Sequence, residues 1–310
     1  MEIFIENGSL ISKEKWEQKI DLIRHEVKAN IENDRKNNIG YEELKNNLKH
    51  KIIESVKNRM PGKEFGIFFS GGVDSTTIAF ICKSLNGNFT CYNVGFKDGD
   101  MKEAPDFIEA RKVAEKLSFP LVAKSYNIEE AEKIIREVVN ILAKPKELDA
   151  DYVVKVGVAS VVVAAKKIAK QNIFFSGLGS EEIFAGYQRH AESEDINEEC
   201  WNGLKKMWSR DLERDCRIAS YLGISILTPF LDRDVIIAAM RINSENKINE
   251  NHKKVILREI SEEIGVDKEF AWRKKQGAQY GSKFDKALER LAKKYNQKYK
   301  KDYLLNLNKI

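Results

Sequence analysis

The sequence predicts an α/β fold: a parallel sheet with helices on both faces, and mainly helical N- and C-terminal parts. Two observations carry this. Short apolar runs alternate with helix-length segments whose apolar residues recur at helical spacing. Two of the runs end in glycine turns that lead at once into a helix start.

Taken in order, residues 9–60 read as two charged helices, roughly Ser12–Ile31 and Tyr41–Arg59, with Asn37-Asn38-Ile39-Gly40 between them. Pro61-Gly62 ends the second. Phe65 to Phe69 is a buried strand. It breaks at Gly71-Gly72, and Ile78, Ala79, Ile81, Cys82 and Leu85 then mark a helix. Phe89–Phe96 is a strand, Pro105 to Leu117 a helix, Leu121–Tyr126 a strand and Ile128–Leu142 a helix. A long apolar helix from Val153 to Ala169 precedes the strand Asn172–Ser176. From about Asp195 the pattern is mainly helical. The expected division is a helical segment over 1–60, an α/β core over 61–195 and a mainly helical part over 196–310. Strands separated by helices of this length imply βαβ units, whose ligands bind beyond the carboxyl ends of the strands.

Composition excludes some classes. The 310 residues are 42% apolar, normal for a globular protein. No apolar run approaches a membrane span, and Met1-Glu2-Ile3-Phe4-Ile5-Glu6 is no signal peptide. Cys82, Cys91, Cys200 and Cys216 form no C-x-x-C pair, so buried thiols in a reducing cytoplasm are expected. The four histidines are too scattered for a metal site. Of the net charge of +5, the tail from Lys283 carries more than its share, with nine Lys/Arg against Asp285, Glu289 and Asp302. Such a run fits a nucleic-acid contact or the solvated face of a terminal helix; Leu288, Leu291 and Tyr295 at helical spacing favour the helix.

Three stretches carry chemistry. In Phe69-Ser70-Gly71-Gly72-Val73-Asp74-Ser75 the glycines let the backbone approach an anion, and the first helical turn points its free N–H groups at it. Phosphate would repel Asp74 unless a cation such as Mg²⁺ lies between them. The second stretch, Ser176-Gly177-Leu178-Gly179-Ser180-Glu181-Glu182, repeats that logic. If the two strands are neighbours, Glu181 and Asp74 face each other across a shared cation. The third comprises Pro229-Phe230-Leu231-Asp232, Lys254-Val255-Ile256-Leu257-Arg258-Glu259 and Trp272-Arg273-Lys274-Lys275-Gln276-Gly277, a cationic group able to close over a phosphate site or to lie on the surface.

The first stretch lacks the Walker G-x-x-x-x-G-K-[ST] pattern; Ser-Gly-Gly-x-Asp-Ser resembles the PP-loop of ATP pyrophosphatases. All three stretches, in this order, resemble the synthetase domain of the asparagine synthetase family over roughly Tyr41 to Ser282. Gly186-Tyr187-Gln188-Arg189-His190 and Gln279-Tyr280-Gly281-Ser282 are closest in wording to the asparagine synthetase domain-containing proteins. The resemblance implies an adenine nucleotide α-hydrolase-like fold and the cofactors ATP and Mg²⁺. By it, Ser70, Gly71, Gly72, Asp74 and Ser75 would hold the pyrophosphate. Phe69, Val94 and Gly177 would line the adenine and ribose pocket, Asp74 and Glu181 would reach Mg²⁺, and Lys275 would be catalytic at the α-phosphate. The implied reaction is an AMP-forming ligation of a carboxylate with ammonia or another amine.

The chain departs from that family at Leu178, where the family has Glu, at Ser225-Ile226-Leu227, where it has Glu-x-Arg, and at Cys216, where it has Asp beside this chain's Asp215. The family's glutaminase domain needs a cysteine right after the initiator Met, and Glu2 stands there. Nitrogen is then expected from free ammonia, another amine or a separate glutaminase chain. A PP-loop enzyme acting on tRNA and a non-catalytic ATP-binding protein remain as alternatives.

Overall fold

The computed structural model describes residues 2–142, 150–273 and 278–307. A short antiparallel hairpin, β1 (Ile5–Glu6) and β2 (Ser9–Leu10), precedes the long helices α1 (Lys13–Lys36) and α2 (Tyr41–Arg59). Ser12 caps α1 by accepting from the Lys15 N–H. β3 (Phe65–Phe68), α3 (Val73–Ser84), β4 (Phe89–Phe96), α4 (Pro105–Lys116), β5 (Leu121–Tyr126), α5 (Ile128–Leu142), α6 (Ala150–Ile168) and β6 (Ile173–Phe175) follow. Two one-turn helices come next, α7 (Ser180–Ile183) and α8 (Gln188–Ala191). α9 (Ile196–Met207) runs through a π-helical turn, Trp208–Leu212, into α10 (Glu213–Leu222). The strand β7 (Ser225–Leu227) leads to α11 (Arg233–Met240), α12 (Val255–Glu263), α13 (Lys268–Ala271), α14 (Ala278–Gly281), α15 (Phe284–Lys294) and α16 (Lys300–Asn306).

The sheet is parallel with order β5-β4-β3-β6-β7. The alternation of strand side chains divides the core between its faces. Phe65, Ile67, Phe89, Cys91 and Phe175 point into one apolar cluster, shared with α1–α4, α9, α11 and α12. Tyr92, Val94, Phe96, Tyr126 and Phe174 point into the other, shared with α5, α6, α10, α15 and α16. The expected sheet with helices on both faces is present.

One element was not foreseen in the sequence. After Asp195 a mainly helical part was expected, and it is mainly helical, yet β7 completes the sheet by pairing Ile173↔Ser225 and Phe175↔Leu227. Three residues that begin with an exposed serine are too few to show a period, and β6 supplies the pairing instead. Cys82, Cys91 and Cys200 are buried, and Cys216 is half-buried.

The N-terminal helices dock on the core through Trp16, which is fully buried and donates its indole N–H to the Leu204 carbonyl of α9 at 2.8 Å. Trp16→Ala should lower stability by about 3–5 kcal/mol through the cavity it leaves. Trp16→Phe should cost about 1–3 kcal/mol by orphaning the Leu204 carbonyl. Urea unfolding midpoints with unchanged slope test both; an unaltered midpoint in Trp16→Ala would contradict this docking.

Candidate functional site

β3 and β6 are neighbours, so their glycine turns lie side by side at the carboxyl ends of the strands. In the first turn Gly71 adopts φ +68°, and a Cβ there would meet the Ala110 backbone nitrogen of α4 at 2.9 Å. Only glycine meets both demands. Ser75 Oγ accepts from the Ser70 N–H at 3.3 Å and donates to the Gly72 carbonyl at 3.2 Å, which holds the loop against α3. Asp74, in the first turn of α3, is 3% exposed. In the second turn a Cβ on Gly177 would come within 2.8 Å of Asp74 Cβ, so that glycine lets the two loops touch.

Lys254 joins them. Its Nζ donates to Asp74 Oδ1 at 2.7 Å and to Ser180 Oγ at 3.1 Å, and pairs with Glu181 Oε1 at 2.8 Å. This lysine has φ +58° just before α12, a left-handed conformation that costs a non-glycine residue about 1–2 kcal/mol. Asp74 and Glu181 therefore lie within reach of one cation. No third His, Cys, Asp or Glu joins them in a metal-type cluster among the described residues. Two carboxylates suit Mg²⁺, which keeps several waters and takes further oxygens from a phosphate substrate.

A cleft of about 800 Å³ opens from this point. Of the residues expected to hold a nucleotide, Phe69, Ser70, Asp74, Ser75, Val94, Gly177 and Glu181 line it, while Gly71 and Gly72 form the loop backbone behind. Lys275 and Lys274 lie outside the described residues. The chain leading to them is anchored by Arg258, which donates to the carbonyls of Ala271 at 2.7 Å and Arg273 at 2.9 Å.

The cleft also holds a charge network in which Glu182 and Asp215 had a signal in the sequence but Arg210, Asp211 and Arg214 had none. Arg210 Nε donates to Asp211 Oδ2 at 2.7 Å, and its Nη2 binds both Asp211 and Glu182. Arg214 donates to Asp215 Oδ1 at 2.7 Å and to Asp211 Oδ1 at 3.2 Å. The guanidiniums of Arg189 and Arg210 lie over the Tyr187 ring, at 4.1 and 5.2 Å from its centre. Burial raises the pKa of Glu182 and of Asp215 against the pull of their arginine partners. The π turn carries Arg210 and Asp211 into the cleft wall, and such turns are frequent at functional sites. Helical periodicity assumes an undistorted turn, so it could not place these two side chains. The register of α10 puts Asp215 in the wall. Leu178 also lines the cleft, whereas Cys216, Ser225 and Leu227 are absent from its described lining.

A glycine loop and two converging carboxylates at the carboxyl ends of a parallel sheet define an α/β fold of the PP-loop kind. The family model for asparagine synthase matches residues 47–195 and 190–307, and the chain belongs to that family. It is 29% identical over 298 residues to a Methanocaldococcus jannaschii protein named "Putative asparagine synthetase (glutamine-hydrolyzing) 1", covering 83% of this chain and 53% of that protein. To the glutamine-hydrolyzing asparagine synthetase of Homo sapiens it is 29% identical over 282 residues, 87% of this chain and 49% of the relative. The chain thus spans about half the length of these relatives. No described helix is long and apolar enough to cross a membrane.

His190 beside the cleft is fully buried, and its Nδ1 accepts the Tyr187 N–H at 3.0 Å. Burial, then Arg189, Lys247, Arg210 and Lys253, lower its pKa to about 3. Between pH 6.5 and about 3 the unfolded chain binds a proton that the folded chain refuses, so stability should fall as pH drops through that window. The slope from this residue is at most about 1.4 kcal/mol per pH unit. His190→Asn, which keeps an acceptor, should lose less stability than the parent between pH 7 and pH 5 in urea unfolding; an equal loss would contradict this assignment.

Proposed function

We propose that this chain is an ATP-dependent, AMP-forming amide ligase. The observation that carries this reading is the convergence of Asp74 and Glu181 on one cation position beside the PP-loop. Mg²⁺ bound there would neutralise the phosphate charge. Ser70, Gly71, Gly72 and Ser75 would hold the pyrophosphate, while Phe69, Val94 and Gly177 would border the adenosine. In the first step a substrate carboxylate oxygen attacks the α-phosphorus, and the bond to pyrophosphate breaks. In the second the amine attacks the acyl carbon, AMP leaves, and the amine loses a proton. Lys275 would stabilise negative charge at the α-phosphate as a compact cation. Nitrogen would come from ammonia, another amine or a separate glutaminase chain. Membership of the asparagine synthase family supports this chemistry.

Asp74→Ala should abolish Mg·ATP binding in a calorimetric titration while the circular dichroism spectrum stays native; unchanged affinity would refute the site. Pyrophosphate release should depend on an added carboxylate. Lys275→Ala should lower kcat by roughly 10²–10³-fold with little change in ATP affinity, as for a lost oxyanion donor. Lys274→Ala should be nearly silent, and equal effects from the two would leave Lys275 without a special role.

A further inference from the structure

This inference rests on the ligase reading and concerns how the metal reaches its site. Lys254 Nζ has three oxygens within 3.1 Å, namely Asp74 Oδ1, Glu181 Oε1 and Ser180 Oγ. An ammonium has three protons to donate, so this one is fully coordinated. Two of the three oxygens belong to the carboxylates that the ligase reading assigns to Mg²⁺. The lysine therefore stands where that reading puts the metal.

The surroundings enclose it there. The side chains of Lys254 and Asp74 are 5% and 4% exposed, and that of Glu181 is 27% exposed. A Cβ on Gly186 would collide with Glu181 Oε2 and with Lys254 Cε, so a glycine is needed for the loop to close over the pair. Arg258, the other buried cation near the two carboxylates, is committed elsewhere. It donates to the carbonyls of Lys253, Ala271 and Arg273. Among the described residues, Lys254 is thus the cation in contact with both carboxylates.

Charge separates two ways for a divalent ion to enter. A bare ion must displace the ammonium, which would then be an enclosed charge without a counter-charge, beside an ion of its own sign. Removing one partner from a buried ion pair is strongly unfavourable, so the bare ion is opposed. A metal that arrives with a triphosphate brings an excess of negative charge. The ammonium can then exchange its carboxylates for phosphate oxygens without leaving the cleft.

We propose that Lys254 is a positioning residue that closes the Asp74–Glu181 site to free divalent cations, so that metal enters only as its complex with the nucleotide. The lysine holds the place of the metal in the resting protein and yields it when the complex binds. Its unfavourable left-handed backbone, φ +58°, is retained because the ammonium is needed at this point.

Equilibrium dialysis of the full chain against Mn²⁺, with and without α,β-methylene-ATP, measures the metal held by the protein. Without nucleotide the parent should retain little Mn²⁺, and with the analogue it should retain metal in proportion to bound nucleotide. Lys254→Met, which keeps the stem and loses the charge, should bind Mn²⁺ without nucleotide about 10–100-fold more tightly than the parent. Lys254→Gly suits the left-handed backbone and serves where the methionine variant folds poorly by circular dichroism. Adding Asp74→Asn to either variant should abolish the gained binding. A lysine with a merely structural role would not create a metal site on its removal. Equal Mn²⁺ affinity of parent and folded variants without nucleotide, or a gained site that survives Asp74→Asn, would overturn the proposal and leave the ligase reading in place. Failure of the parent to retain metal and nucleotide together would overturn both.

Discussion

A buried carboxylate beside a second one needs a compensating positive charge or a shared proton, and at the centre of this molecule the buried Asp74 and the half-buried Glu181 are met by a lysine. At about 4 Å, two like charges near a protein surface repel by roughly 4 kcal/mol. The adjacency of β3 and β6 nevertheless brings Asp74 and Glu181 together, and Gly177 lets their loops touch. Lys254 resolves the conflict by contacting both, from a backbone conformation that is itself unfavourable for lysine. The parallel sheet, the two glycine turns and the left-handed entry to α12 all serve this one point of charge.

The same logic explains which parts of the molecule were legible in the sequence. The bounds of α2 were legible from Gly40 before it and Pro61-Gly62 after it, and those of α5 from its strongly amphipathic face. The two glycine turns were legible as a pair, since strand, glycine and acid recur in both. That they are adjacent was not legible, because strand order arises from long-range pairing. Lys254 stood in a recognised cationic stretch, but nothing local distinguishes it from Lys253, whose ammonium reaches Gln188 on the surface. Its signal exists only in three dimensions. Asp215 and Cys216 show a related limit. Neighbouring residues on a helix point about 100° apart, so the register of α10 decides which of them meets the cleft.

The distribution of charge in the cleft separates two regions of it by physical character. At the phosphate end, cations come from elements distant in the chain, Lys254 before α12 and Arg258 within it. Elsewhere in the cleft wall, Arg210, Asp211, Arg214 and Asp215 come from one continuous stretch, the π turn and the start of α10, and are joined by Glu182 of α7, with hydrogen bonds of 2.7–3.2 Å among the first four.

The basic C-terminal tail illustrates why a charge count is a poor guide to a partner. α15 buries Leu288, Leu291 and Ala292, and α16 buries Tyr303 and Leu304, against the second apolar face of the sheet. Some of the tail's described cations join that docking and others pair within the tail itself. Arg290 pairs with Asp98, Lys294 with Glu132 at 3.0 Å and Lys300 with Asp285, while Lys283 donates to the Lys102 carbonyl at 2.6 Å. Lys298 and Lys301 lie over the exposed Tyr299 ring. A nucleic-acid interface needs a row of uncommitted cations to release counterions from the phosphates. Most of the tail's described cations are instead committed to carboxylates and carbonyls of this chain. The two amphipathic helices are held over the second face chiefly by their buried apolar residues, with the ion pairs as minor additions.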